Sequence, residues 1–551
     1  MKNEKSLSGT FLGMALSETA RILSLQDRNP ISPTYGSFDR EYWFYKKTDT
    51  PYASVQGAVF SLALLYKNKL PGNVYYGNRK VLDWVIAGLR FWAKIQNKNG
   101  SFDEYYPHEK SYIGTALGLY PCAEAFLLVK NKISEADKKI IIDAFDKACN
   151  FLSKNKEPFV INQETMAALA IYTANHAIRK SRYANIAKNK ISFIIKQQDK
   201  EGWFPEYGGC DVGYLSYTID FLASYYNKSR DKRVLGPLHK AIEFISYFLH
   251  PDGTAGGEYT ARNTEYLVPH GFALVNDKLS SRIVEFAEDS LGKGSVSLMC
   301  LDNRYLPLYA HQYIQTSLDY NGSKSSKIKL PYERKNFDKF FENAGILVKK
   351  IKDFYIIIGT SKGGVIRVYD CKNGKIIYSD CGYIAFADKI GSSAYLDHNR
   401  HVSVKGDKVI IKGKFYKQKQ LVSTKYKHMA LRVALTGGVL SKPLREAIKR
   451  SLITKKSLMP ISFSRTFNLS NLKDGKIAIE DEILHKNKIK KLMLIDKFSF
   501  RYIPSSRFFQ TQELNTFGTK IFNRLDKLGK RIRIEHSLEL KSRKVTTKLV
   551  R

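Results

Sequence analysis

Two stretches of the chain carry the same residues at the same spacing. Gln96, Gly100, Phe102, Glu104, Tyr105 and Tyr112 recur as Gln198, Gly202, Phe204, Glu206, Tyr207 and Tyr214. A looser third copy follows in Gly253, Glu258, Tyr259 and Tyr266, with the last tyrosine again eight residues after the glutamate. Each copy ends one apolar segment, turns on glycine and opens another. A single pair of helices cannot bury its own apolar face, so repeats of this kind demand a stacked or closed helical array. The period alone does not separate an open solenoid from a closed toroid.

The flanking segments have helical periodicity. Val55, Ala58, Val59, Leu62 and Leu65 share one face, and Val81, Trp84, Val85, Leu89 and Trp92 share the next. Further helices are expected at 115–130, 135–154, 162–178, 183–197, 213–227 and 234–249, with Gly, Pro or Asn between them. Residues 1–50 read as partly irregular. Their aromatic run from Tyr35 to Tyr45 suits the lining of a sugar-binding cleft or, more commonly, an arm packed over the core.

The pattern changes after the polar stretch Asn321 to Ser326, and residues 326–551 read as a second domain after 1–325. Alternating runs flank Asn373-Gly374, Gly406-Asp407 and Asp474-Gly475, all hairpin signals. Arg531 to Glu535 alternates as well, while Leu440 to Ile453 reads as helical or irregular. Many short strands joined by tight turns imply an antiparallel sandwich.

Charge separates the two halves. The chain carries a net +38; residues 1–325 hold 40 Lys and Arg against 33 Asp and Glu, whereas 326–551 hold 50 against 19. Such a cationic half attracts polyanions, or it is simply a lysine-decorated solvated surface. No P-loop, zinc-finger or RNA-binding signature points to nucleic acid. The six cysteines lack CxxC spacing, so neither a metal site nor a disulfide framework is indicated. No uninterrupted apolar run suggests a transmembrane segment. The N-terminus lacks the pattern of a signal peptide, so a cytoplasmic location is expected. Nothing in the sequence sets the oligomeric state.

A helical repeat domain followed by a basic antiparallel domain resembles the heparinase II/III-like polysaccharide lyases, from about residue 25 to 540. The resemblance implies an incomplete (α/α) toroid with its active site in a cleft beside the β domain. It implies β-elimination on an acidic, uronate-containing polysaccharide without metal or organic cofactor. The motifs that carry it are Asn162-Gln163 at the start of one helix and Tyr214 with Tyr217 about fifty residues later. By that resemblance Asn162 binds the uronate carboxylate, and Tyr214 protonates the leaving oxygen or abstracts the C5 proton. Gln163 stands where a catalytic histidine often stands and cannot take a proton. His398 and His401 are the nearest counterparts of a histidine supplied by the β domain.

The chemistry asks for the same residue types. Proton abstraction at C5 builds charge on the uronate carboxylate, which donors such as Asn162, Gln163, Arg262 and Asn263 stabilise. The segment 256–271 is the densest polar stretch of the helical half. Its Arg262 and His270 are candidate catalytic groups, and Tyr259, Asn263 and Glu265 join Tyr217, His398 and His401 as candidate substrate contacts. Bland roles compete: Asn162 is a good helix cap, and the repeated Glu and Tyr suit packing. A uronate C5-epimerase shares the first step. A toroid glycoside hydrolase needs two carboxylates, for which Glu206 with Asp211 or Glu258 with Glu265 are available. A non-catalytic polyanion-binding protein needs neither.

Overall fold

The computed structural model describes residues 10–320, 322, 328–418, 424–435, 456–486, 488–497, 508–516, 518–523, 525 and 529–550. Thirteen helices come first among them: α1 (Phe11–Leu25), α2 (Arg40–Trp43), α3 (Ala58–Lys67), α4 (Arg79–Lys94), α5 (Tyr112–Val129), α6 (Glu135–Lys154), α7 (Ile161–Ile178), α8 (Ser181–Lys196), α9 (Val212–Ser229), α10 (Leu235–Ser246), α11 (His270–Val275), α12 (Lys278–Leu291) and α13 (Leu306–Asp319). Helix α3, α5, α7, α9, α11 and α13 pack each on the next, and α13 returns to α3. That contact closes the inner ring and decides for a toroid. Helix α4, α6, α8, α10, α12 and α1 lie outside it.

Sequence explains the layering. Outer helices are amphipathic: α4 buries Val81, Val85, Leu89 and Trp92 and leaves its charges outward. Inner helices are apolar nearly all round, as a helix covered on every side must be. Helix α5, continued to Lys132, is apolar enough over its length to suit a membrane span, yet two thirds of that window is buried as a stave of the ring. Helix α1 was not anticipated. Thr10 caps it by accepting from Gly13 N–H, and its apolar face packs on α13. The aromatic arm lies over the core as expected, with Phe38 buried and Trp43 donating its indole N–H to Leu25 O.

The repeats are turns that join outer to inner helices. Gln96 donates its amide to Gly100 O and to Ala144 O; Gln198 donates to Gly202 O and to Pro237 O. Each glutamine therefore closes its own turn and ties it to the next outer helix. Gly100 and Gly202 sit at φ +87° and +108°, where a Cβ would collide with the carbonyl oxygens of Lys147 and Lys240.

Fifteen strands follow among the described residues, all paired antiparallel. A five-stranded sheet runs in sequence order: β1 (Phe337–Phe341), β2 (Ile346–Ile351), β3 (Phe354–Gly359), β4 (Val365–Asp370) and β5 (Lys375–Asp380). A ten-stranded sheet comprises β6 (Tyr383–Phe386), β7 (Ile390–Ser392), β8 (His401–Lys405), β9 (Lys408–Lys417), β10 (Leu458–Asn468), β11 (Lys476–His485), β12 (Lys491–Leu494), β13 (Lys520–Asn523), β14 (Arg531–Glu539) and β15 (Lys544–Val550). The three hairpins read from Asn373-Gly374, Gly406-Asp407 and Asp474-Gly475 are β4–β5, β8–β9 and β10–β11. One more helix, α14 (Lys425–Leu435), lies between β9 and β10. The stretch from Leu440 to Ile453 and all but Gly322 of the polar stretch Asn321–Ser326 lie outside the described residues.

Strands β2 to β5 of the five-stranded sheet are buried on both faces, while the edge strand β1 is partly exposed. Alternate residues Tyr355 and Ile357 of β3 join the toroid core, while Phe354, Ile356 and Ile358 face the ten-stranded sheet. The two sheets thus form a sandwich whose inner sheet is also the wall of the helical domain.

Candidate functional site

The N-terminal ends of the inner helices gather at one mouth of the toroid, and the repeat glutamates hold them there. Glu206 accepts from Asn162 twice, from its backbone N–H at 2.9 Å and from Nδ2 at 2.6 Å. Glu104 accepts from Ser54 at 2.5 Å and from Ser111, the cap of α5, at 2.8 Å. Burial pushes both carboxyls up, Glu206 well above the usual carboxylate range. Their recurrence is therefore architectural: each pins an inner-helix start to the turn of a repeat.

Asp211 caps α9 and organises the adjacent loop. Its Oδ1 accepts from Tyr214 N–H and, in a short bond, from the Thr264 hydroxyl; its Oδ2 accepts from the Thr260 hydroxyl and Arg262 N–H. The segment 260–268 runs along the first turns of α9, held further by Gly213 N–H on Thr264 and Val268 N–H on Ser216. One carboxylate thus fixes both Tyr214 and Arg262. The Arg262 guanidinium stacks 4.1 Å over the Tyr207 ring, while its buried Nε finds no partner among the described residues. Below Tyr214, Tyr266 and Tyr309 meet edge to face at 5.3 Å, and Tyr217 contacts both rings. Burial holds these three phenols well above their ordinary value.

The other sequence candidates are spread more widely. Gln163 is half-buried on the first turn of α7, and its side chain has no hydrogen-bond partner among the described residues. His270 lies deeper, fully enclosed, between Asp220 Oδ1 at 2.7 Å and Asp319 Oδ2 at 3.0 Å. Burial alone would lower it; the two carboxylates outweigh that and raise it to about 9, so it bridges α9 and α13 as a cation. Tyr259 is buried and meets His250 Nε2 at 2.8 Å. Asn263 accepts from Lys362 Nζ at 2.9 Å across the domain boundary. Glu265 accepts from Arg367 and Gln510 and pairs with Lys497, all three from the β domain. His398 is exposed at the rim with its ring against the Gly208 backbone, where desolvation lowers it. His401 is exposed at the start of β8, opposite Lys412.

The mouth therefore brings together Asn162, Tyr214, Tyr217 and Arg262, with His398 reaching the same turn from the β domain. Tyr259, Asn263 and Glu265 join the domain seam instead. A second lip was missed in the sequence: Arg304 sits 4.1 Å over Tyr52 and 4.8 Å over Tyr105, next to Tyr305. Tyr105 was legible as the repeat counterpart of Tyr207; Arg304 carries no repeat signal. A small cavity on the toroid axis, lined by Tyr120, Met166, Tyr217, Pro307 and His311, forms the floor.

No family model matches the chain, and no curated protein matches it. Among solved structures it is similar to a xanthan lyase of Paenibacillus, at 12% identity and a TM-score of 0.53, covering 89% of this chain and 46% of that one. It is also similar to the chondroitin AC lyase of Streptomyces coelicolor A3 in complex with chondroitin sulphate, at 10% identity and a TM-score of 0.54, covering 90% of this chain and 69% of that one. The chain thus spans less than half the length of the xanthan lyase. Likeness at such identities is one of fold, and it is the fold that the resemblance to the heparinase II/III-like lyases implied. This protein has the architecture of these polysaccharide lyases, an (α/α) toroid followed by an antiparallel β domain.

Proposed function

We propose that the protein cleaves a uronate-containing acidic polysaccharide by β-elimination at the toroid mouth. The observation that carries this reading is the pairing of Tyr214 and Arg262 on one carboxylate, Asp211, beside the Asn162–Glu206 pair. The Arg262 guanidinium receives the uronate carboxylate, and its buried Nε is oriented by the Tyr207 ring beneath it. Glu206, pushed up by burial, holds Asn162 at the helix start.

In the reaction the Tyr214 phenolate takes the C5 proton, and the C5–H electron pair becomes the C4=C5 double bond. The C4–O4 bond breaks, and the departing O4 recovers the proton from the Tyr214 phenol. Negative charge that builds on the carboxylate meets a preplaced cation, so stabilisation grows towards the transition state. The cationic β domain draws the polymer in, with His398 at the rim and Tyr217 below as further contacts.

The carboxylates that a hydrolase needs are committed elsewhere: Asp211 to the α9 cap and its loop, and Glu265 to the domain seam. An epimerase shares the proton abstraction and differs only in reprotonating C5. Incubation with a panel of uronate polymers, followed by ultraviolet absorbance of the unsaturated uronate, tests the proposal. A rising signal that falls by at least about 100-fold in Tyr214→Phe is the expected result. Inverted C5 without absorbance selects the epimerase, and new reducing ends without absorbance select the hydrolase.

A further inference from the structure

Tyr105 and Tyr207 occupy the same position in the two close repeats, each directly after the glutamate that pins an inner helix. Each also carries an arginine on its ring: Arg304 at 4.8 Å from Tyr105 and Arg262 at 4.1 Å from Tyr207. The arginines come from unrelated stretches, the 256–266 loop and the turn before α13, so the repeat itself did not deliver them. Both are half-buried. Among the described residues each hydrogen-bonds through its backbone N–H alone, Arg262 to Asp211 and Arg304 to Asp302. Two guanidinium forks are thus oriented by aromatic rings while their side-chain donors remain unspent.

A stacked guanidinium is pre-organised for bidentate recognition of a carboxylate or a sulfate ester. Arg304 has a second ring, Tyr52, at 4.1 Å, and Tyr105 is about half exposed at 49%. Neighbouring Glu104 accepts from Ser54 and Ser111; the Arg304 charge also reaches it, but burial outweighs these and raises the carboxyl above its ordinary value. A run of tyrosines connects the two stacks: Tyr305 borders Arg304 and Tyr105, Tyr309 contacts Tyr217 and Tyr266, and Tyr266 contacts Tyr214 next to the Arg262 loop. Tyr266 and Tyr309 are buried and pack the wall between the two stacks, so the accessible groups are the two arginines and the Tyr105 and Tyr207 rings that carry them.

We propose that Arg304 on Tyr52 and Tyr105 is a second anion subsite, repeat-related to Arg262 on Tyr207, that takes an acid group on another sugar of the same polymer. This rests on the reading of the mouth as an acidic-polysaccharide site. It makes the enzyme selective for polymers whose acid groups recur along the chain, and it makes Arg304 a determinant of binding rather than of the proton transfer.

The test measures fluorescence-polarisation Kd of the intact protein for two labelled probes, a chondroitin sulphate hexasaccharide and an oligogalacturonate hexamer. Arg304→Gln and Arg262→Gln are each expected to weaken the tighter probe about tenfold, and the double variant about 100-fold, since separated contacts add. Arg304→Lys, which keeps charge but not the fork, recovers part of the loss. Thermal melts of the variants should match the parent. Chemically desulfated chondroitin retains the Arg304 effect if the group is a carboxylate and loses it if the group is a sulfate ester. An unchanged Kd in Arg304→Gln for both probes overturns the subsite, as does absence of binding by the parent protein. Elimination followed in parallel separates the two ideas. Binding split between the arginines without elimination keeps the subsite and sinks the lyase; elimination with unchanged Kd in Arg304→Gln does the reverse.

Discussion

His270 is enclosed between two carboxylates, and the fold favours its charged form. Its folded value of about 9 lies above the ordinary histidine value of 6.5. The stabilisation is therefore complete below about pH 6.5 and is lost as pH rises through 9, and it is worth about 3 kcal/mol. Lys362, lowered to about 8 chiefly by burial, and Glu109, raised to about 8 chiefly by burial, also titrate in this window. The difference between parent and His270→Gln isolates the histidine. Urea-unfolding free energies should differ by about 3 kcal/mol at pH 6 and converge towards pH 10. A gap that stays constant over that range would show that His270 acts through packing rather than charge. The sequence made this residue a candidate because it appears once, in a polar segment. A single copy says nothing of depth, and the partners that define it lie 50 and 49 positions away. Asn162 was legible at a helix start and Arg262 after a glycine turn, but the cap reading of Asn162 fails: Val160 holds the cap position of α7, and the Asn162 amide donates to Glu206 instead.

Within the repeat element, backbone geometry and side-chain ties carry the load together. Gly202 at φ +108° touches Lys240 O, and Gln198 spans from Gly202 O to Pro237 O. Gly202→Ala adds a Cβ where the carbonyl of α10 already lies, in a backbone region L-residues avoid. It should lower urea-unfolding stability by about 2–4 kcal/mol, against about 1 kcal/mol for Gln198→Ala. Equal losses would place the constraint in the hydrogen bonds rather than in the close approach. Gly100 and Gln96 offer the same pair in the first copy. These elements were legible because helix period and glycine turns are local. Burial of the inner sheet on both faces was less so. The runs Ile346–Ile351 and Phe354–Gly359 show too few polar residues for a one-sided strand, yet only coordinates reveal that the second partner is the toroid. Helix α14 is likewise a local surprise, with Tyr426, Met429 and Val433 exposed along one face.

Across the whole molecule, the β domain holds the loop that presents Arg262. Glu265 takes Arg367 on one oxygen at 2.8 Å and Lys497 with Gln510 on the other at 2.9 and 3.0 Å. Arg367 also donates to Gly256 O, and Lys362 donates to Asn263 beside Arg262. Desolvation raises the Glu265 carboxyl, but Lys497 and Arg367 more than compensate and bring it below its ordinary value. Its pairing therefore contributes stability above the unfolded carboxylate value of about 4, which is lost as pH falls. Glu265→Ala leaves the buried Arg367 guanidinium without its carboxylate, while Lys497 keeps Glu513 at 2.5 Å, and should cost about 3–5 kcal/mol. The loss should be felt twice, as a lower melting temperature and as weaker elimination or polymer binding through a displaced Arg262. Glu265→Gln keeps the shape and some donors' partners, so it should fall between the parent and the alanine variant in both readouts. A variant that melts early but binds and turns over normally below its melting point would separate the seam from the site. The charge asymmetry of the sequence pointed to a cationic second domain meeting a polyanion. What it left hidden is that part of that charge faces inward, as Arg367 and Lys497 on Glu265, so the cationic domain also holds the loop that carries Arg262.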